Sequence, residues 1–265
     1  MSIMTHDKIT YKPASRIVKP LSHKRCSFPH AIRLSHKGKL VGHRIIESSA
    51  NAAQEKKNAA CLSGGNSAKK GPMARTASTM LALGTPLPAF TLPDVTTGQP
   101  VSSETLGQGK ALLVAFLCNH CPYVIHVREQ LAAIARDYAD QPVAFVGITS
   151  NDVENYPDDS PEATRELAAL LGFPILYDES QEVAKTYTAA CTPDFFLFNA
   201  DHRLAYRGQL DSTRPRRDTP PTGNDLRAAL DEMLAGKPVT VEQKPSVGCN
   251  IKWKPGNEPG YFASA

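Results

Sequence analysis

The stretch ALLVAFLCNHCPYV, residues 111–124, joins an apolar run to two cysteines separated by two residues. The run at residues 111–117 is uninterrupted and of strand length, as expected for a strand that is covered on both faces. The segment that follows, residues 121–139, places apolar side chains at helical spacing and predicts an amphipathic helix. Cys118 and Cys121 are therefore predicted to lie where a buried strand passes into a helix.

This position favours an ionised thiol at Cys118. The N-terminus of a helix carries partial positive charge and unpaired N–H groups, which stabilise a thiolate and lower its pKa. Because the thiolate is the nucleophile, we predict that Cys118 attacks and that Cys121, one turn further on, closes the ring. His120 lies between them and is expected to stabilise the thiolate or to take up the proton of Cys121.

The rest of the body alternates between strand and helix patterns. Strand patterns, including two hairpins, are found at residues 89–103, 111–117, 142–150, 175–178 and 194–208. Helix patterns are found at residues 121–139, 158–174, 181–189 and 223–238. Ser160 is expected to cap the second helix, and Asn224 or Asp225 the last. This order indicates an α/β fold with a mixed sheet, whose reactive loops lie at the carboxyl ends of the parallel strands.

Charge divides the chain into two unequal parts. Residues 1–72 contain 14 Lys and Arg against 3 Asp and Glu, whereas the remaining residues contain 16 against 23. The N-terminal part has no sustained helix or strand period, so we predict a disordered basic extension over residues 1–78. Two other interpretations stay open: a tail that binds nucleic acid or an anionic surface, and a translation start at Met73.

A single domain over residues 79–240 and a partly docked tail over residues 241–265 are predicted to follow the extension. The 265-residue chain has no apolar run long enough to span a membrane and no apolar core typical of a secretory signal. We therefore expect a cytoplasmic protein without a membrane partner. Because the body is mildly acidic, we expect no nucleic-acid partner for the folded part.

Two features together resemble the thioredoxin superfamily: the CxxC after a buried strand, and Thr192-Pro193 further along the chain. The segments LGTPLPAFTLPDVTTGQPVSS and CNHCPYV are similar to its redoxin branch, which includes alkyl hydroperoxide reductase C-type and thiol-specific antioxidant proteins. The resemblance implies a thioredoxin-like three-layer fold, with helices flanking a mixed central sheet. It also implies that Pro193 is a cis-proline facing the CxxC, with Thr192 beside it in the substrate groove.

The function implied by the resemblance is that of a thiol–disulfide oxidoreductase in redox homeostasis, with no bound cofactor or metal. Its expected partners are protein or small-molecule disulfides and a reducing dithiol system. Tyr123 is expected to line the groove beside the CxxC. Cys191 is expected near the site, either as a buried core thiol or as a third redox or resolving thiol. Cys249 belongs either to a docked segment beside the site or to a mobile tail.

Other functions stay open because the chain departs from the sequence patterns of both thioredoxins and peroxiredoxins. Leu112 stands where thioredoxins have a buried carboxylate, so the proton of Cys121 needs another acceptor. An antioxidant peroxidase of the peroxiredoxin type is one alternative. Its pattern P-x-x-x-T-x-x-C is missing at both cysteines. The chain therefore lacks, at that position, the threonine that peroxide activation uses together with an arginine. A redox sensor or a zinc-holding module built from the four cysteines of the body is the other.

Overall fold

The chain forms ten strands and five α-helices within residues 75–264, the part that this computed structural model describes. The strands are β1 (Arg75–Ala77), β2 (Thr91–Pro93), β3 (Pro100–Ser102), β4 (Ala111–Phe116), β5 (Val143–Thr149), β6 (Ile175–Tyr177), β7 (Cys191–Thr192), β8 (Asp194–Phe198), β9 (Leu204–Gly208) and β10 (Val247–Asn250). The helices are α1 (Ser103–Gly107), α2 (Pro122–Asp137), α3 (Pro161–Leu171), α4 (Glu182–Thr186) and α5 (Asn224–Leu234).

Strand β4, which leads to the cysteines, is the centre of a five-stranded sheet of order β6–β5–β4–β8–β9. Strands β4, β5 and β6 are parallel, whereas β8 runs antiparallel to β4 and β9 antiparallel to β8. Every residue of β4 is buried, as its uninterrupted apolar sequence predicts. The predicted mixed sheet is therefore confirmed, and its central strand positions the CxxC.

Alternate side chains of β4 enter two separate cores. Leu113 and Ala115 pack in one core with residues of α2, α3 and α5. Leu112, Val114 and Phe116 pack in the other, with Ala184 of α4 and residues from both ends of the described chain. Each fully buried Leu or Phe stabilises the fold by about 1.5–3 kcal/mol. Helices on both faces of a mixed sheet make the three-layer, thioredoxin-like fold that was predicted.

The helices that frame the site follow their sequence patterns, with one exception. The Ser160 hydroxyl accepts a hydrogen bond from the Ala163 N–H at 3.3 Å and caps α3 as expected. Helix α5 is instead capped by Gly223, at φ 71°, and not by Asn224 or Asp225. The carboxylate of Asp225 accepts a hydrogen bond from Gln209 at 2.7 Å, so it interacts with a different segment.

The ends of the domain also differ from the prediction. Residues 75–77, placed in the predicted extension 1–78, form β1 and pair with β10. The rest of that extension, up to residue 74, lies outside the described residues. Strand β10 pairs in turn with β7, so the predicted tail 241–265 contributes the middle strand of a second sheet. Within residues 75–264, none of the helices has the length and apolar character of a membrane span.

Candidate functional site

The two cysteines of the CxxC lie between the end of β4 and the start of α2. Helix α2 begins at Pro122 with Cys121 as its N-cap, so Cys118 precedes the helix. Both are buried, with Cys118 1% and Cys121 0% exposed. Cys118 lines a cavity of about 320 Å³ between α2 and α3, whereas Cys121 does not. A molecule that enters this cavity therefore meets Cys118 first.

Thr192 contacts both sulfur atoms. The Thr192–Pro193 peptide bond is cis, as the resemblance implied. The Thr192 hydroxyl lies 3.1 Å from the Cys118 Sγ, and its carbonyl oxygen lies 3.1 Å from the Cys121 Sγ. Thr192 is only 3% exposed. Thr192, which was predicted to lie in the substrate groove, therefore contacts the two buried sulfur atoms themselves.

Asp159 fixes the two residues between the cysteines, a role that the sequence analysis missed. Its fully buried carboxylate accepts hydrogen bonds from the backbone N–H groups of Asn119 at 2.7 Å and His120 at 3.3 Å. The other oxygen accepts one from the Asn151 side chain at 2.8 Å and lies 2.6 Å from the His120 Nδ1. Burial alone would raise the pKa of Asp159, but the hydrogen bonds from His120, Asn151 and Asn119 hold it below its usual range.

The topology offered one signal for this residue. Asn151 follows β5 and Asp159 precedes α3, in the connection that begins next to the CxxC loop because β4 and β5 are parallel neighbours. The carboxyl ends of parallel strands meet at one edge of a sheet. Polar residues after β5 were therefore candidates for contact with the CxxC, although nothing in the sequence singles out Asp159 among them.

The groups around the two cysteines favour charge on Cys121 and not, as predicted, on Cys118. The hydrogen bond with Cys121, burial and the charge of Asp159 all raise the pKa of Cys118. The pKa of Cys121 is lowered, because the thiols of Cys118 and Cys249 and the backbone N–H of Val124 hydrogen-bond to its sulfur. The start of the helix thus stabilises charge on its own N-cap, Cys121, and the pair holds one thiolate with the Cys118 thiol against it.

His120 and Tyr123 lie on different sides of the pair. The His120 ring stacks on Tyr156, with centroids 5.6 Å apart, so Asp159 and Tyr156 together position it. Tyr123 is half-buried and lines a shallow cleft with Pro193 and the loop 211–215. Tyr123 and Pro193 therefore line a cleft that is separate from the cavity beside Cys118.

Cys191 is enclosed, as expected for a buried core thiol, and it lines neither the cavity beside Cys118 nor the cleft beside Pro193. It is fully buried on β7, where its thiol lies 3.7 Å from the carbonyl oxygen of Pro193 and 3.9 Å from that of Ser246. Burial, and then the charge of Asp194, raise its pKa. Pairing of β7 with β10 encloses this side chain.

One group of residues has ligand atoms close enough for a metal ion. Within the described part of the chain, the ligand atoms of Cys118, His120 and Asp159 lie within 4.8 Å of one another. Both carboxylate oxygens of Asp159 already accept hydrogen bonds, and Cys118 contacts Thr192.

Comparison with known proteins places the chain in a family. The Redoxin family model matches residues 82–226, which include the CxxC and Pro193. An uncharacterized conserved protein from Geobacillus kaustophilus is 51% identical, with 69% of this chain and 98% of that chain covered and a TM-score of 0.67. A hypothetical protein from Sinorhizobium meliloti is 48% identical, with 68% and 100% covered and a TM-score of 0.66. Comparison with curated proteins gave no match. The chain belongs to the Redoxin family.

Proposed function

We propose that this protein is a thiol–disulfide oxidoreductase in which Cys118 attacks the substrate and Cys121 resolves the intermediate. The observation that carries the proposal is that one thiol lines an open cavity, while the second hydrogen-bonds to it from a position outside that cavity. Membership of the Redoxin family supports a thioredoxin-like redox function. The substrate, the reducing dithiol partner and the cytoplasmic location stay predictions.

The proposed reaction transfers two electrons to the substrate. The Cys118 sulfur attacks one sulfur of a disulfide, the substrate S–S bond breaks, and the departing thiolate takes up a proton. Cys121 then attacks the Cys118 sulfur of this mixed disulfide and releases the second substrate thiol. The substrate is reduced to two thiols, and the protein is left with a Cys118–Cys121 disulfide that an external dithiol reduces.

Proton transfer within the pair can replace the missing buried carboxylate. The Cys118 thiol hydrogen-bonds to Cys121, so its proton can pass to Cys121 as Cys118 attacks. The departing substrate thiolate then takes this proton from Cys121, and the thiol of Cys249 and the N–H of Val124 beside the Cys121 sulfur favour its ionised form for the second step. The second substrate thiolate takes its proton from water. The reaction therefore does not need a carboxylate at the position of Leu112.

The proposal is tested by reduction of insulin disulfides with dithiothreitol as the final reductant. We expect activity in the wild type and none in Cys118→Ser. Cys121→Ser should accumulate a mixed disulfide on Cys118, visible by mass spectrometry, because the resolving thiol is gone. Equal activity in Cys118→Ser and wild type contradicts the proposal, as does one tightly bound zinc per chain in protein purified without reductant.

Peroxide reduction is a second candidate, and one observation favours it. The Thr192 hydroxyl lies 3.1 Å from the Cys118 Sγ, and Arg128 lines the same cavity. A hydroxyl and an arginine beside the attacking thiol are the groups that peroxide activation requires, although Thr192 is far from the expected sequence position. Stopped-flow mixing of reduced protein with hydrogen peroxide discriminates the two. Faster oxidation of Cys118 by peroxide than by a disulfide would favour the peroxidase.

A further inference from the structure

A third buried thiol lies against the CxxC. Cys249 is on β10, opposite Thr192 in the strand register, and is 3% exposed. Its thiol and its backbone N–H both hydrogen-bond to the Cys121 sulfur. Cys121 also hydrogen-bonds to Cys118, so its sulfur contacts both of the other thiols.

The backbone holds Cys249 firmly in this place. Strand β10 packs so closely on Thr192 that a Cβ on Gly248 would lie 2.0 Å from the Thr192 carbonyl oxygen. The same carbonyl oxygen lies 3.1 Å from the Cys121 sulfur. Because no side chain separates β10 from Thr192 here, the sulfur of the neighbouring Cys249 is kept beside that of Cys121.

We propose that Cys249 is a third redox thiol, which converts the Cys118–Cys121 disulfide into a Cys121–Cys249 disulfide. This inference rests on the proposed function. The Cys249 thiolate attacks the Cys121 sulfur, the bond between Cys121 and Cys118 breaks, and its electron pair stays on Cys118. Cys118 takes up the proton that Cys249 lost. One disulfide replaces another, so no further oxidant or reductant is needed.

Oxidation of Cys121 favours ionisation of the Cys249 thiol. Its hydrogen bond to Cys121 is the largest cause that raises the pKa of Cys249, followed by burial, whereas the charge of Lys252 lowers it. Oxidation of Cys121 removes its thiolate and hence the first of these causes. Cys249 therefore ionises more readily once a disulfide has formed beside it, and its burial keeps external disulfides away.

The consequence is that the disulfide moves into the interior while Cys118 becomes a free thiol that lines the cavity.

Cys191 is close in sequence to the site, but its thiol faces the carbonyl oxygens of Pro193 and Ser246. Cys191 therefore serves as a matched control, since it is an equally buried cysteine on the strand that pairs with β10.

The test maps disulfides in the full chain, with Cys26 and Cys61 replaced by Ser in every sample to prevent exchange with them. Reduced protein is oxidised with one equivalent of glutathione disulfide, quenched in acid at increasing times, and digested for mass spectrometry. We expect a Cys118–Cys121 link first and then a growing Cys121–Cys249 link. Iodoacetamide should label Cys118 as the second link forms.

The variants sharpen this result. Cys249→Ser should retain the first link, lose the second and leave Cys118 protected from iodoacetamide, whereas Cys191→Ser should form both links. The proposal is overturned if wild type forms the Cys118–Cys121 link alone and Cys118 stays as protected as in Cys249→Ser. The wild-type time course decides this even if a variant fails to fold. Failure to form the first link in wild type overturns the proposed function as well.

Discussion

Replacement of Asp159 by Asn should destabilise the reduced protein strongly without changing its shape. The carboxylate is fully buried and accepts hydrogen bonds at both oxygens. The amide can still accept the backbone N–H groups of Asn119 and His120 through its oxygen. Its NH₂ group, however, would face the donor NH₂ of Asn151 and lie where the carboxylate now meets the His120 ring.

The size of the effect follows from these contacts. A buried donor left without its partner costs about 1–3 kcal/mol, and a hydrogen bond to a charged group contributes about 1.5–3 kcal/mol. Because these losses share one side chain, we expect the free energy of unfolding to fall by about 3–4 kcal/mol, within the range for breaking a buried ion pair. That is a large part of the total stability of a typical domain.

Urea unfolding of the reduced protein at pH 7, followed by circular dichroism, measures this loss. Asp140→Asn, at an exposed position in the turn after α2, is the control and should change stability by no more than about 0.5 kcal/mol. A loss below about 1 kcal/mol for Asp159→Asn would refute the reasoning, because the carboxylate would then not hold the loop together.

The dependence on pH provides a second check. The folded-state pKa of Asp159 is below its usual value, so its ionised form stabilises the fold above the unfolded pKa of about 3.9. This contribution is lost as the pH falls through the folded-state pKa. The stability difference between wild type and Asp159→Asn should therefore be full at pH 7 and should shrink below about pH 4.

Three further predictions concern the surroundings of the site. Gly248→Ala should lower the free energy of unfolding, measured in urea, by about 2–3 kcal/mol, because the added Cβ would collide with the Thr192 carbonyl oxygen. Gly260→Ala is the control and should have little effect, since a Cβ there would have no atom within 4 Å. Tyr187→Phe should raise stability by up to about 1 kcal/mol in the same assay, because the buried hydroxyl has no partner among residues 75–264; a clear loss would reveal one. Thr192→Val should slow alkylation of Cys118 at pH 7 about tenfold, since the hydroxyl lowers the pKa of this thiol; an unchanged rate would contradict that role.

The sequence by itself determined the strands of the five-stranded sheet, the three long helices and the position of the cysteine pair. The buried strand β4, the amphipathic helix α2 and the cap at Ser160 were all predictable, because side-chain periodicity and capping residues act over a few neighbouring positions. The cis peptide bond at Pro193 followed from the resemblance.

Only the tertiary structure decided how the site is held and where its charge lies. Asp159 contacts the CxxC loop from 40 residues away, and Cys249 reaches Cys121 through the pairing of β10 with β7. The three-residue strand β1 is too short to show a period, and its partner lies at the other end of the domain. Local spacing cannot encode such contacts, and burial together with neighbouring charges, which sets the pKa of each thiol, exists only once the chain has folded.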